Sequence, residues 1–236
     1  MTAIRAIVTD IEGTTTPLAF VHEVLFPYAR ERLADFVAEH GHEPEVAAQL
    51  AAARDLGNIP DADGKATIAL LLQWMDEDRK AGPLKELQGR IWRQGYEAGV
   101  LKGEVYADAA EKLRHWHERG LRLFVYSSGS EEAQRLIFGC SDKGDLAQLF
   151  EGFFDTRIGA KVEATSYAAI AKAAGLEPQE MLFLSDHPGE VGAAKKAGMQ
   201  AVRIDRALAP GAESEDEGGA VYGSFGPVEK HLSLKV

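Results

Sequence analysis

Ile4-Arg5-Ala6-Ile7-Val8-Thr9 is an apolar run of strand length that stops abruptly at Asp10, with a second carboxylate at Glu12 and a Gly13-Thr14 turn behind it. A run without alternation suits a strand buried on both faces, the situation of parallel sheets covered by helices. In open sheets of that class, ligands bind outside the carboxyl ends of the strands. Asp10 and Glu12 therefore stand where a site is expected. Residues i and i+2 share one face of an extended strand, so both carboxylates can address one bound group.

Comparable runs recur later in the chain. Residues 121–126 end at Ser127-Ser128-Gly129-Ser130, and residues 181–184 end at Ser185-Asp186-His187. Residues 153–156 read as a shorter strand and 201–204 as a further one. Helical patterns separate them: a helix carrying Ala110, Leu113 and Trp116 closed by Gly120, then 131–138, 166–174 and 193–197, the last closed by Gly198. Strands alternating with helices predict βαβ units and a parallel sheet. Between residues 20 and 100 the pattern is helical throughout, with Pro27 beginning or kinking one helix, Pro44 in a first turn, and Gly82-Pro83 as a break. The expected fold is α/β, a doubly wound parallel-sheet (Rossmann-like) core of residues 1–19 and 101–236 with an all-helical cap, residues 20–100, inserted after the first strand. An insertion at that point is expected to act as a lid that excludes water and selects the substrate. Residues 209–219, acidic and glycine-rich, read as a solvated loop.

Composition narrows the function. The 236 residues carry a formal net charge of -11, which opposes nucleic-acid binding because that needs a basic stripe. An anionic substrate stays compatible, since a metal ion or lysine reverses the field within one cleft. Cys140 is the sole cysteine, which leaves no disulfide framework and no thiolate metal site. With no secretory h-region and no apolar run of membrane length, the expectation is a cytoplasmic protein without a membrane partner, and a monomer by default. His40/His42 and His115/His117 are i, i+2 pairs, which diverge on a helix and make poor metal pairs.

Asp10/Glu12, Ser127/Ser128, Lys161 and Asp186 end or closely follow predicted strands, and a doubly wound sheet brings such positions to one edge. Together they make a kit for phosphoryl transfer. One carboxylate serves as nucleophile and a second as acid and then base. Hydroxyls and an ammonium hold the phosphoryl oxygens, and further carboxylates hold Mg²⁺, which prefers oxygen ligands. Taken singly, each residue has a plain structural alternative. Asp10 and Asp186 suit helix N-caps, Ser127 and Ser128 suit capping of the helix near Ser130, and Lys161 suits a solvated surface. Their convergence is what favours a site.

At these positions the chain resembles the haloacid-dehalogenase superfamily of phosphohydrolases. Asp10-Ile11-Glu12-Gly13-Thr14 matches its first motif, the serine after Tyr126 its second, Lys161 its third and Ser185-Asp186 its fourth. Within it, Asp10 to Pro17 with Val24-Leu25-Phe26-Pro27-Tyr28 is similar to the enolase-phosphatase family of methionine salvage, as are Val125 to Ser130 and Gly159-Ala160-Lys161 with Ser166-Tyr167. The resemblance spans residues 4 to 205 or so. It implies one Mg²⁺ per chain and two reactions on a small phosphorylated substrate, 2,3-diketo-5-methylthiopentyl-1-phosphate. The ketone is enolised, and the enol phosphate is hydrolysed to the acireductone 1,2-dihydroxy-3-keto-5-methylthiopentene. It further implies that Asp10 attacks phosphorus and ligates Mg²⁺, that Asp186 and Glu12 (by carboxylate or backbone carbonyl) are ligands, that Glu12 is the acid and base, that Ser127 and Ser128 bind phosphate, and that Lys161 offsets charge on nucleophile and phosphoryl group. Most of the superfamily's phosphatases carry Asp where this chain has Glu12, whereas the enolase-phosphatases carry Glu. In the fourth motif His187 follows Asp186, and the next carboxylate is Glu190. The same fold also serves phosphatases of other small esters, and phospho-acceptor domains in signalling are a non-enzymatic alternative; sustained turnover separates the latter.

Overall fold

The computed structural model describes residues 2–232. Met1 and residues 233–236, the outermost ends of the expected core, lie outside the described residues. Residues up to Leu18 and those from Lys102 onward form one compact unit, and Ala19–Leu101 form another.

The first unit is built on a seven-stranded sheet of order β3-β2-β1-β4-β5-β7-β6, with β1 Ala6–Thr9, β2 Arg122–Tyr126, β3 Phe150–Phe154, β4 Met181–Ser185, β5 Gln200–Ile204, β6 Glu213–Asp216 and β7 Gly219–Tyr222. All pairings are parallel except that of β6 with β7. Every residue of β1 is buried, as its uninterrupted apolar run requires. Ala6, Val8, Phe124, Met181 and Phe183 share a core cluster with Tyr167, Ile170 and Val191 of the flanking helices. Strand order reverses at β1: one half of the sheet runs outward through β2 and the other through β4. That reversal opens a crevice at the carboxyl ends of β1 and its neighbours.

Two strands depart most from the sequence reading. The third strand begins at Phe150, three residues ahead of expectation, because Glu151 and Gly152 break the apolar run; the ladder shifts register there, with Leu123 opposite Phe150 and Phe124 opposite Gly152. Residues 209–219 do not form a simple loop. Glu213–Asp216 is a fully exposed edge strand, and its antiparallel partner β7 attaches it to β5. An outermost strand has no apolar layer to meet on either face, so its polarity hid it.

The second unit is helical. A π-helical turn, Phe20–Leu25, leads into α1 Phe26–His40, followed by α2 Pro44–Leu56, α3 Gly64–Asp76 and α4 Gly82–Glu97. Proline occupies the first turn of α1, α2 and α4, where its missing N–H costs nothing. Asp63 caps α3 by accepting the Ala66 N–H at 2.8 Å. Leu33, Val46, Leu71, Trp74, Leu87 and Ile91 fill the core of this unit. Trp92 is partly buried, with its indole N–H on the Leu25 carbonyl at 2.8 Å.

The remaining helices belong to the first unit: α5 Ala107–Glu118, α6 Glu131–Gly139, α7 Ala164–Ala174 and α8 Pro188–Lys196. Among the described residues no helix is long and apolar enough to cross a membrane.

Candidate active site

The register sets Thr9 of β1 opposite Val125 of β2 and Leu184 of β4. Asp10, Ser127 and Asp186 therefore leave the sheet at the same end. Asp10 is buried, 4% exposed, and its backbone is fully engaged: its N–H donates to the Leu184 carbonyl at 2.9 Å, and its carbonyl accepts the hydroxyls of Thr9 and Thr15 at 3.0 and 3.1 Å. Behind it the chain turns tightly, with the N–H groups of Thr14, Thr15 and Thr16 all on the Ile11 carbonyl. Glu12 lies in this turn, bridged to Thr16.

Lys161 is the centre of charge. Its ammonium sits 2.6 Å from Asp10 Oδ1 and 2.8 Å from Glu190 Oε2, with its side chain 11% exposed. A surface lysine is thereby excluded. Burial alone would lower its pKa, but the carboxylates of Asp10 and Glu190 outweigh burial and raise it, so the ammonium stays protonated. Glu190 also accepts the Ser185 hydroxyl at 2.8 Å, and that hydroxyl accepts the His187 N–H at 3.1 Å. Burial, followed by the charge of Asp10, pushes the Glu190 carboxyl up.

Asp186 donates its backbone N–H to the Thr14 hydroxyl at 2.9 Å. Burial and then the charge of Asp10 raise its pKa. It is not a helix cap. His187 caps α8, its Nδ1 accepting the N–H groups of Gly189 and Glu190 at 3.1 and 3.3 Å. Gly13 stands against Asp186 with φ +70°, and a Cβ there would overlap the carboxylate. Side-chain-free, left-handed backbone is therefore required beside this acid.

Ser127 is 3% exposed at the end of β2, its N–H bound to the Phe154 carbonyl at 3.1 Å. Ser130, not Ser127 or Ser128, caps α6 by accepting the Ala133 N–H at 3.2 Å. Gln134 ties the loop down, donating to the carbonyls of Gly129 and Phe154, each at 2.8 Å. Ser127 and Ser128 thus precede a helix N-terminus, a favourable place for an anion.

Asp10 and Glu190 pair with the Lys161 ammonium, and Asp186 lies near enough to feel the charges of Asp10 and Lys161. The donors are hard oxygens and the excess charge is negative, which fits a divalent cation such as Mg²⁺. Among the described residues, no three His, Cys, Asp or Glu side chains gather into a metal site by themselves. Mg²⁺ asks for less than that, since it commonly takes one or two carboxylates and completes its shell with water and substrate phosphate. Asp10 and Asp186 meet this requirement.

Two supports were not legible from sequence. Arg206, after β5, donates through Nε and Nη2 to the Thr14 carbonyl at 3.0 and 2.6 Å, and through Nη1 to both oxygens of Asp108 at 3.0 and 2.9 Å. Its guanidinium lies 4.1 Å from the Tyr106 ring centroid and 5.2 Å from that of Phe225. Arg206 thereby clamps the turn that follows Asp10. The other is the pairing of Glu190, already in view as the next carboxylate of the fourth motif, with Lys161: their separation in sequence conceals a direct ion pair.

Residues 4–198 match the family model of the haloacid dehalogenase-like hydrolases. The chain is 70% identical to Enolase-phosphatase E1 of Parvibaculum lavamentivorans, over 99% of this chain and 98% of that protein. It is 60% identical to Enolase-phosphatase E1 of Pseudomonas aeruginosa, over 86% and 90% of the two chains. The crystal structure of the UTR4 protein of Saccharomyces cerevisiae superposes with a TM-score of 0.77 at 34% identity, covering 94% of this chain and 99% of that one.

Proposed function

The chain belongs to the haloacid dehalogenase-like hydrolases and, within them, to the enolase-phosphatases, and on that premise we propose that Asp10, Glu12, Ser127, Ser128, Lys161 and Asp186 carry its reaction. The substrate is 2,3-diketo-5-methylthiopentyl-1-phosphate, which is enolised and then dephosphorylated to 1,2-dihydroxy-3-keto-5-methylthiopentene in methionine salvage. The observation that carries the assignment is the buried Lys161 ammonium held between Asp10 and Glu190 at the strand ends.

In this reading the Asp10 carboxylate attacks phosphorus and forms an aspartyl-phosphate as the bond to the enol oxygen breaks. Glu12 protonates the departing oxygen, then takes a proton from the water that hydrolyses the acyl phosphate. Ser127 and Ser128 orient the phosphoryl oxygens, while Lys161 offsets their charge and holds the Asp10 oxygen to which it is bonded. Asp10 and Asp186 hold one Mg²⁺, with Glu12 contributing its carboxylate or backbone carbonyl. The ion, when bound, supplies positive charge to the phosphoryl oxygens. Ala19–Leu101 is in this reading the cap of the enzyme, which we take to act in the cytoplasm as a monomer.

The test incubates the protein with the diketo phosphate with and without Mg²⁺, following phosphate release and acireductone absorbance together, beside an Asp10→Asn variant. Both signals are expected only with metal, and neither in the variant. Turnover of a different phosphate ester alone would keep the chemistry and discard the substrate. Full activity of Asp10→Asn would overturn the mechanism.

A further inference from the structure

Lys161 lies in the irregular segment between β3 and α7, where no strand or helix fixes the backbone. One residue later the chain is already at the surface, with Val162 61% exposed. Three consecutive carbonyls of this segment each accept a side-chain hydroxyl. Tyr126 Oη donates to Gly159 O at 2.9 Å, Ser166 Oγ to Ala160 O at 2.7 Å, and Tyr167 Oη to Lys161 O at 2.7 Å.

The donors are fixed by the core. Tyr126 and Tyr167 are fully buried and Ser166 is 1% exposed. The two tyrosine rings meet edge to face, with centroids 5.5 Å apart at 81°. Tyr167 packs likewise on Phe183 of β4 at 4.9 Å and 69°. Gly159, at φ +142°, lies so near the Ser166 hydroxyl that a Cβ would collide with it. Rings locked to β2 and β4 thus reach out to three successive peptide groups, the last belonging to Lys161 itself.

We propose that Tyr126, Ser166 and Tyr167 are positioning residues for Lys161, transferring the rigidity of the sheet to an ammonium carried on a loop. A long side chain on an unsupported loop would spread over many rotamers. The three hydroxyls hold its backbone so that Nζ falls between Asp10 and Glu190. This inference rests on the role given to Lys161 above, and its test separates the two.

Phosphate release from the diketo phosphate is measured for the full chain, Tyr167→Phe, Ser166→Ala, Lys161→Ala, and Lys161→Ala combined with Tyr167→Phe. Ethylammonium is added to the two variants lacking the lysine, to supply a free amine. Tyr167→Phe is expected to lower kcat roughly ten- to a hundredfold with KM held within about threefold, the scale of a displaced active group. In the amine-rescued Lys161→Ala background the same change is expected to cost nothing more, because the free amine does not depend on the loop. Equal losses in both backgrounds would reveal a general structural role and overturn the proposal. So would Tyr167→Phe within twofold of the parent. Ser166→Ala stands in should circular dichroism find Tyr167→Phe unfolded. If ethylammonium restores nothing, the single variants decide, and losses confined to KM overturn the idea. Lys161→Ala turning over at the parental rate would remove the role of Lys161 itself, and this inference with it.

Discussion

Replacing Arg206 with methionine keeps the aliphatic stem and removes the guanidinium that clamps the turn behind Asp10. Two N–H donors leave the Thr14 carbonyl, and the paired contact with Asp108 is lost. A hydrogen bond from a charged donor contributes about 1.5–3 kcal/mol. The ion pair adds less: the Asp108 side chain is 34% exposed, so solvent screening holds it to about 1 kcal/mol or under. Counting the two N–H groups that share the single Thr14 carbonyl as one such bond, the sum is a loss of roughly 2–4 kcal/mol, or about 5–15 °C in Tm for a chain of this size. The two units need not unfold together, so the probe must see only the first. Trp116 does: it is fully buried and stacked at 5.6 Å on Phe225, whose ring also faces Arg206. With Trp74 and Trp92 changed to phenylalanine, Trp116 fluorescence reports on that surrounding alone. Arg206→Lys should recover little, since one ammonium cannot serve both Thr14 and Asp108. A Tm within 2 °C of the parent for Arg206→Met would refute the clamp.

Gly13→Ala should strain a left-handed residue by about 1–2 kcal/mol and displace Asp186, weakening apparent Mg²⁺ affinity at least tenfold in a Mn²⁺ titration read by electron paramagnetic resonance; unchanged affinity would count against Asp186 as a ligand. Chelation with EDTA should stop phosphate release and added Mg²⁺ restore it, whereas persistent turnover in chelator would exclude the metal. His231, 2.9 Å from the Tyr222 hydroxyl, has its pKa lowered by burial and then by Lys195. Its neutral form is the folded one, so the unfolded chain takes up the proton first: stability should fall as pH drops below the usual 6.5, and His231→Phe should flatten that slope in urea melts.

Where several residues of the candidate site fall in the fold could be read from the chain, because their placement at strand ends is local. The run 4–9 ends where the sheet ends, and Asp10 follows it directly. The strands through residues 126 and 185 stop for the same reason, at the polar residues that leave the ladder. What escaped was carried by distance. Arg206 meets Asp108 and Thr14 only after three elements have folded, and neither partner has a spacing that hints at the other. Tyr126 and Tyr167 counted as apolar members of a strand and a helix, which concealed the work of their hydroxyls. Strand β6 was misread because its residues, Glu213 to Asp216, are polar and exposed and their ladder has a single partner strand.

The strand that leads into Asp10 lies inside the sheet, yet its partners β2 and β4 are encoded after the helical unit. On the ribosome, β1 therefore emerges before β2 and β4 and has neither of them to pair with. The helical unit follows as one unbroken segment whose contacts are near in sequence, so it can settle early. β1 can be captured only when β2 has been made, which closes a loop of about 110 residues, from Thr9 to Arg122, at an entropic cost on the order of 4 kcal/mol. Until then a short, mostly apolar strand stays unpaired. An inner strand is thus made well ahead of the partners that secure it, and Asp10 does not meet Lys161 and Glu190 until the chain has been made past α8.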